Sequence, residues 1–229
     1  MDWYPLFNSI RIALLSTVLV FFAGIGIAYS VLKLPRTFKG ILDVILTLPL
    51  VLPPTVVGYA LIKILGPSST VGEFLLNTFS LKLTMQWWSA VFSTFIVSFP
   101  LMYRTARGSF EAFDSNLQAS AQTLGLSNFF IFWKIRIPCC KQGLIAGLVL
   151  AFARSLGEYG ATSMIAGYIP GKTATVSTTL YQLWRNGNDE LAFRWVMVNL
   201  ALSFIVLVAV NLVENPRNLR KVKNDETSR

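Results

Sequence analysis

Charged side chains are scarce in the apolar stretches of this chain, so the few found there carry the chemical argument. Arg154 and Glu158 stand four residues apart in GLIAGLVLAFARSLGEYGATSMIAGY. At helical spacing two such side chains meet, and a charge within hydrocarbon is costly enough to mark a functional site. The pair reads in two ways: as mutually neutralised charges that fix a bundle, or as groups that control a gate or the electrostatics of an anion path. Asp43 is the other acidic residue inside an apolar run, and the chain has no histidine, the commonest general base and metal ligand. Cys139 and Cys140 are adjacent, follow Pro138 and have no second pair with which to build a metal site. Gly171-Lys172-Thr173 looks like the end of a phosphate loop, but the glycine needed five residues before Gly171 is replaced by Ala166. These residues predict no catalytic group, no metal and no cofactor held by this chain.

The elements around these residues are set by composition. Of 229 residues 54% are hydrophobic and 14% charged, where a soluble domain carries about a quarter charged. The apolar residues bunch into about five runs, at 10–32, 42–65, 87–106, 143–166 and 194–213, near the ~20 residues that cross ~30 Å of hydrocarbon. The first run is too long for a signal-peptide core and lacks a convincing cleavage site. Segments 33–41, 66–86, 107–142 and 167–193 connect the runs, and 214–229 forms a basic tail. The expected fold is an all-α, polytopic membrane helical bundle in a single domain over 1–229.

The net charge of +9 does not indicate nucleic acid, because the basic residues sit at the ends of apolar runs and in the tail. An N-terminus outside and a C-terminus in the cytoplasm place Lys33, Arg36, Lys39, Arg104, Arg107, Lys134, Arg136, Lys141 and the five basic residues of the tail (Arg217, Arg220, Lys221, Lys223 and Arg229) inside. Those thirteen are most of the twenty basic residues. Trp87, Trp88, Trp184 and Trp195 then fall near the outer boundary.

Two runs are irregular. The second contains Pro49, Pro53 and Pro54, and each proline removes a backbone donor and disturbs the helix before it. It is either a packing kink or an element that lines a wet pathway. In the fourth, Gly143, Gly147, Ala151 and Ser155 form one small-residue stripe and Ala153, Gly157 and Ala161 another, which suits close helix approach on two sides. Arg154 would lie about 17 Å into that span, near mid-bilayer.

Segment 107–142 is the most informative connection. Ser115 and Gln118 have capping-box spacing, and Asp114 suits the helix dipole. Leu117, Ala121 and Leu124 share a face, Gly125 terminates the helix, and Phe129, Phe130, Phe132 and Trp133 follow. So short a helix is marginal alone in water and must dock on lipid, its own bundle or a soluble partner.

This segment resembles the cytoplasmic coupling loop of ATP-binding-cassette importer permeases, whose pattern is Glu-Ala-Ala, three residues, Gly, nine residues, Ile-x-Leu-Pro. Gly125, Ile135 and Pro138 match, Ile137 replaces the Leu, and the acidic position is Ala119, followed by Ser120 and Ala121. FARSLGEYGATSMIAGYIPGKT and LPLVLPPTVVGY resemble the molybdate-type permease subunits, and the resemblance covers most of residues 10–210. It implies a type I importer permease fold and ATPase coupling through Ser115, Gln118, Ala119, Ser120, Ala121, Gly125, Ile135 and Pro138. It also implies a translocation path or gate at Pro53, Pro54, Arg154, Gly157, Glu158 and Gly160. The implied assembly is a homodimer in the lipid bilayer with two cytoplasmic ATPase subunits that use ATP. An extracytoplasmic binding protein would deliver molybdate or tungstate, moved by alternating access. A sulfate or thiosulfate permease of the same superfamily is the near alternative. A secondary transporter or channel is the remote one, since no duplicated half is visible.

Overall fold

A chain whose backbone donors and acceptors must be satisfied without water has the helix as its simplest form. The computed structural model describes residues 2–80 and 82–214, and among them there are helices and no strand. In chain order these are α1 (Tyr4–Leu32), α2 (Arg36–Val51), α3 (Pro54–Leu65), α4 (Thr70–Phe79), α5 (Trp87–Glu111), α6 (Ser115–Thr123) and α7 (Asn128–Ile131). A π-helical turn (Phe132–Arg136) joins α7 to α8 (Ile137–Leu156), followed by α9 (Gly160–Ile165), α10 (Val176–Arg185) and α11 (Asp189–Glu214).

Among the described residues three helical stretches are long and apolar enough to cross a membrane: Tyr4–Leu32, Asn128–Leu156 and Asp189–Val208. The pair α2 and α3 makes a fourth if its two arms, bent by 112°, count as one span. The expected second span is therefore two helices. α5 is long enough at 25 residues, about 37 Å, yet polar in part. Ser89, Ser93, Thr94 and Ser98 are all buried in it. Neighbouring helices cover the polar side of α5 and leave an apolar strip with Trp88 and Phe92 exposed, and Ser98 donates back to the Thr94 carbonyl at 2.6 Å.

Small residues set the spacing around α5. α1 runs parallel to it, with the Arg11 guanidinium over Trp87 near one end and Tyr29 edge-on to Phe110 near the other. Between them Gly24 presses on α5 so closely that a Cβ there would come within 2.6 Å of Met102 Cγ. α8 runs antiparallel to α5, with Gly143 against Ser109 and Gly147 against Met102 and Thr105. The stripe Gly143, Gly147, Ala151, Ser155 thus packs into the bundle, and its last three members are buried. The second stripe does not form one face, because the helix ends at Leu156; Ala153 and Gly157 are exposed and Ala161 is buried on α9.

Boundaries shift elsewhere too. α1 starts at Tyr4, α5 continues to Glu111 and α11 begins at Asp189. Segments 66–86 and 167–193 contain α4 and α10 rather than loop alone. Both carry readable start signals: Ser69 Oγ accepts from the Gly72 N–H, and Thr175 and Thr178 cap each other reciprocally. The basic tail beyond Glu214 lies outside the described residues.

The bundle has two chemically different ends. Lys33, Lys39, Arg107 and Arg136 gather with α6 at one. Trp3 and Trp195 meet at 6.3 Å, and Trp87 and Trp88 at 5.9 Å, at the other.

Candidate functional site

Two chain breaks make the site. The first follows from the consecutive prolines. A residue before proline is pushed into extended backbone, and this happens twice in succession, at Leu52 (ψ 142°) and Pro53 (ψ 134°). α3 then restarts with Pro54 in its first turn, where the missing N–H costs nothing. The second break, 157–159, separates α8 from α9 at a glycine-flanked position of low helix propensity.

The two breaks meet. A Cβ on Gly160 would lie 2.8 Å from Pro54 Cβ and 3.1 Å from the Thr55 nitrogen. A Cβ on Gly58 would lie 2.8 Å from both Ala161 Cα and Met164 Cβ. Only glycine permits α3 and α9 to approach so closely. Gly58 was not among the residues singled out from the sequence, although its position four residues after Pro54, inside an apolar run, is a small-residue packing signal.

Arg154 and Glu158 do not share a helix: Arg154 precedes the second break and Glu158 lies within it. Arg154 lies in the last turn of α8, where a cation complements the helix dipole. Glu158 lies beyond the helix end, and its Oε1 accepts the Ala161 N–H at 2.7 Å, satisfying a donor at the start of α9. Arg154 Nη1 stands 2.6 Å from Glu158 Oε2, at ion-pair distance without hydrogen-bond alignment. The exposures are unequal: 2% for the glutamate side chain and 29% for the arginine. A buried anion thus holds a cation whose outer side remains open. Pro53, Thr55 and Gly157 are exposed as well. Chemically, the arrangement can present positive charge to an anion at a place where two helices are already interrupted.

The second candidate region is α6 with the turn after it. Asp114, not Ser115, caps α6, accepting from the Asn116 N–H at 2.8 Å. Gln118 is therefore not engaged in a capping box, and its Oε1 accepts from Arg136 Nη2 at 2.5 Å. Arg136 also lies over the rings of Tyr29 and Phe113, so one side chain ties α6 to α1 and to the π turn. Gly125 has φ +75°, and the Leu126 and Gly125 N–H groups return to the Ala121 and Gln122 carbonyls, the Schellman pattern. Pro138 explains the π turn. It cannot donate and its ring crowds the carbonyl four residues back, and a wider turn relieves both. Ile135, inside that turn, is half-buried.

The expected apolar face of α6 is only partly covered. Ala121 is buried, while Leu117, Leu124, Phe129 and Trp133 are exposed, as are Ala119 and Ser120. Behind it α2 is pinned to α5 by Lys39–Glu111 at 2.5 Å and an Arg107–Asp43 contact, and Arg107 and Glu111 pair within α5 at 3.1 Å. The hydrogen bond from Lys39, helped by Arg107, holds the Glu111 carboxyl below its ordinary value.

Other candidates resolve into local structure. Thr173 is fully buried; its Oγ1 accepts the Ile169 N–H at 2.9 Å and ties a turn. The Lys172 carbonyl accepts from the Tyr4 hydroxyl at 2.7 Å. Cys140 is buried against the Ser109 carbonyl, Cys139 is exposed, and both are free thiols.

The profile of the family described as "Binding-protein-dependent transport system inner membrane component" matches residues 20–215. The molybdenum transport system permease protein ModB of Escherichia coli is 37% identical over 208 residues, 90% of this chain and 91% of the relative. ModB of Haemophilus influenzae is 40% identical over 171 residues, covering 74% of this chain and 75% of the relative. The sulfate transport system permease protein CysW of Synechococcus elongatus is 28% identical over 83% of this chain and 66% of its own length. A crystal structure of a bacterial ABC transporter that imports the acidic polysaccharide alginate superposes with a TM-score of 0.77 at 18% identity. It covers 93% of this chain and 79% of that one.

Proposed function

This chain belongs to the binding-protein-dependent transport system inner membrane component family, and on that premise we propose that it is the permease subunit of an ATP-driven importer of molybdate or tungstate. The relatives named for molybdenum transport, at 37% and 40% identity, support that anion over sulfate, whose permease is 28% identical. The observation that carries the reading is the meeting of two broken helices at Pro54 and Gly160 beside the half-open Arg154.

A tetrahedral dianion that crosses a bundle needs a cation within reach but not a deep trap. Arg154 suits that need, because Glu158 offsets part of its charge while leaving its outer side open. Pro53, Pro54, Gly157 and Gly160 supply backbone that is already non-helical, and interrupted backbone at membrane depth is tolerated where it lines a cavity. The pathway would lie between two copies of the chain, with the exposed Pro53, Thr55 and Gly157 turned toward it. The five crossings would be α1, α2 with α3, α5, α8 with α9, and α11.

Coupling would run through α6. Its uncovered apolar side chains fit the mode in which a short helix lies in a groove of a soluble partner, here an ATPase subunit that binds and hydrolyses the ATP. Ser115, Gln118, Ala119, Ser120, Ala121, Gly125, Ile135 and Pro138 shape this helix and its turn. Two such subunits and an extracytoplasmic binding protein would complete the assembly. The basic character of the α6 end supports a cytoplasmic α6 and an outer N-terminus.

The test is ATPase activity of the reconstituted assembly with binding protein loaded in turn with molybdate, tungstate and sulfate. Stimulation by the first two and not by sulfate is expected. Stimulation by sulfate alone would replace the assignment with the sulfate one.

A further inference from the structure

Near the tryptophan-bearing end, α1 and α5 border an apolar groove of about 760 Å³. Leu15, Leu19 and Ala23 form one wall, Phe92 and Phe95 the other, and Leu83 lies across one side. Trp87 and Trp88 also line it. From Leu15 to Ala23, and from Trp87 to Phe95, each helix advances about 12 Å, so the groove runs lengthwise down the bundle.

Its mouth is basic. The Arg11 guanidinium carbon sits 3.6 Å from the Trp87 ring centroid. Stacking occupies the face of the guanidinium and leaves its in-plane N–H donors pointing outward. Lys82 stands next to Trp88, whose indole N–H donates to the Lys82 carbonyl at 3.2 Å. Among the described residues, neither Arg11 nor Lys82 is within ion-pair distance of a carboxylate. Both also stand apart from the basic end of the molecule, so the charge bias that orients the chain does not account for them. An apolar channel of membrane depth, topped by aromatic rings and two unneutralised cations, has the chemistry of an anionic amphiphile.

We propose that this groove binds one anionic phospholipid, its acyl chain along α1 and α5 and its phosphate on Arg11 and Lys82. A lipid seated there would cover the outward apolar side of the packed α1–α5 pair. The proposal depends on the chain spanning a membrane and not on which anion it imports.

Native mass spectrometry of the full-length protein in detergent, offered phosphatidylglycerol or phosphatidylcholine of equal chain length, tests it. The wild type is expected to retain one phosphatidylglycerol per chain in about tenfold preference. R11Q/K82Q, a surface change, is expected to abolish the preference. A23F, which fills the groove without altering charge, is expected to lose retention of both lipids. Equal retention of the two lipids by the wild type, or an unchanged preference in R11Q/K82Q, overturns the proposal. So does a disulfide-linked dimer in native membranes through V18C, Val18 being on the α1 wall of the groove, which would show a second copy covering it.

Discussion

At the scale of single residues the decisive contact is Arg154–Glu158. Its two partners play different parts, since Glu158 also holds the Ala161 N–H and Arg154 keeps an open side. Removing one member of a buried pair strands the other, at a cost of about 3 kcal/mol. Arg154→Ala is therefore expected to lower the melting temperature and abolish uptake. The double variant Arg154→Ala/Glu158→Ala separates the two roles. It is expected to recover much of the stability, because no buried charge is stranded, while uptake stays lost. Recovery of uptake together with stability would reduce the pair to a structural one. The pair itself was legible from its spacing in the sequence. That it straddles a helix end was not, because Glu158 leaves the helix to cap the next one, and such competition depends on where the chain turns.

At the scale of elements, backbone contact between α3 and α9 defines the site. Gly160→Val places branched carbons where Pro54 and the Thr55 nitrogen already stand, and Gly58→Val does the same against Ala161. Each is expected to cost several kcal/mol, in the overpacking range or beyond it, and to abolish transport. Thermal unfolding of the purified variants measures this, and wild-type stability in both would mean that the breaks do not pack as described. Gly125 poses a different question, because space around it is open and only its φ of +75° matters. Asparagine tolerates that conformation and a β-branched residue does not. Gly125→Asn is expected to co-purify with its ATPase almost normally, and Gly125→Val to reach the membrane but co-purify poorly. Equal recovery of the ATPase with both variants would detach the turn from docking.

The Lys39–Glu111–Arg107–Asp43 cluster that pins α2 to α5 has a pH signature. The folded Glu111 carboxyl titrates below its ordinary value of 4.5, so its contribution is present above that pH and lost as the pH falls through the lower folded value. Melting temperature compared between pH 7 and pH 4 is expected to fall more for the wild type than for Glu111→Gln. An identical fall in both would show the cluster to be energetically silent.

The elements also show what a sequence can carry. Apolar length marked the long helices, and Pro53 and Pro54 marked the first interruption, whereas 143–166 read as one unbroken span. What stayed hidden was partnership: nothing in either run alone brings Gly58 to Ala161. Asp114 and Ser115 are both good caps in adjacent positions, so local rules could not choose between them. The polar faces of α5 are explained only by the helices around it, which no window of sequence contains.

At the scale of the whole molecule, the charge and aromatic asymmetry between the two ends gives a bundle with a basic end and a tryptophan-bearing end, and the broken helices lie between them. Whether this bundle passes an oxyanion only when a partner ATPase drives it is measured by isotopic molybdate accumulation in proteoliposomes holding the permease, its ATPase and the binding protein. The expected result is accumulation that requires ATP and the binding protein together and disappears with Arg154→Ala. Equal molybdate entry without ATP, or full accumulation by the Arg154→Ala permease, would contradict it.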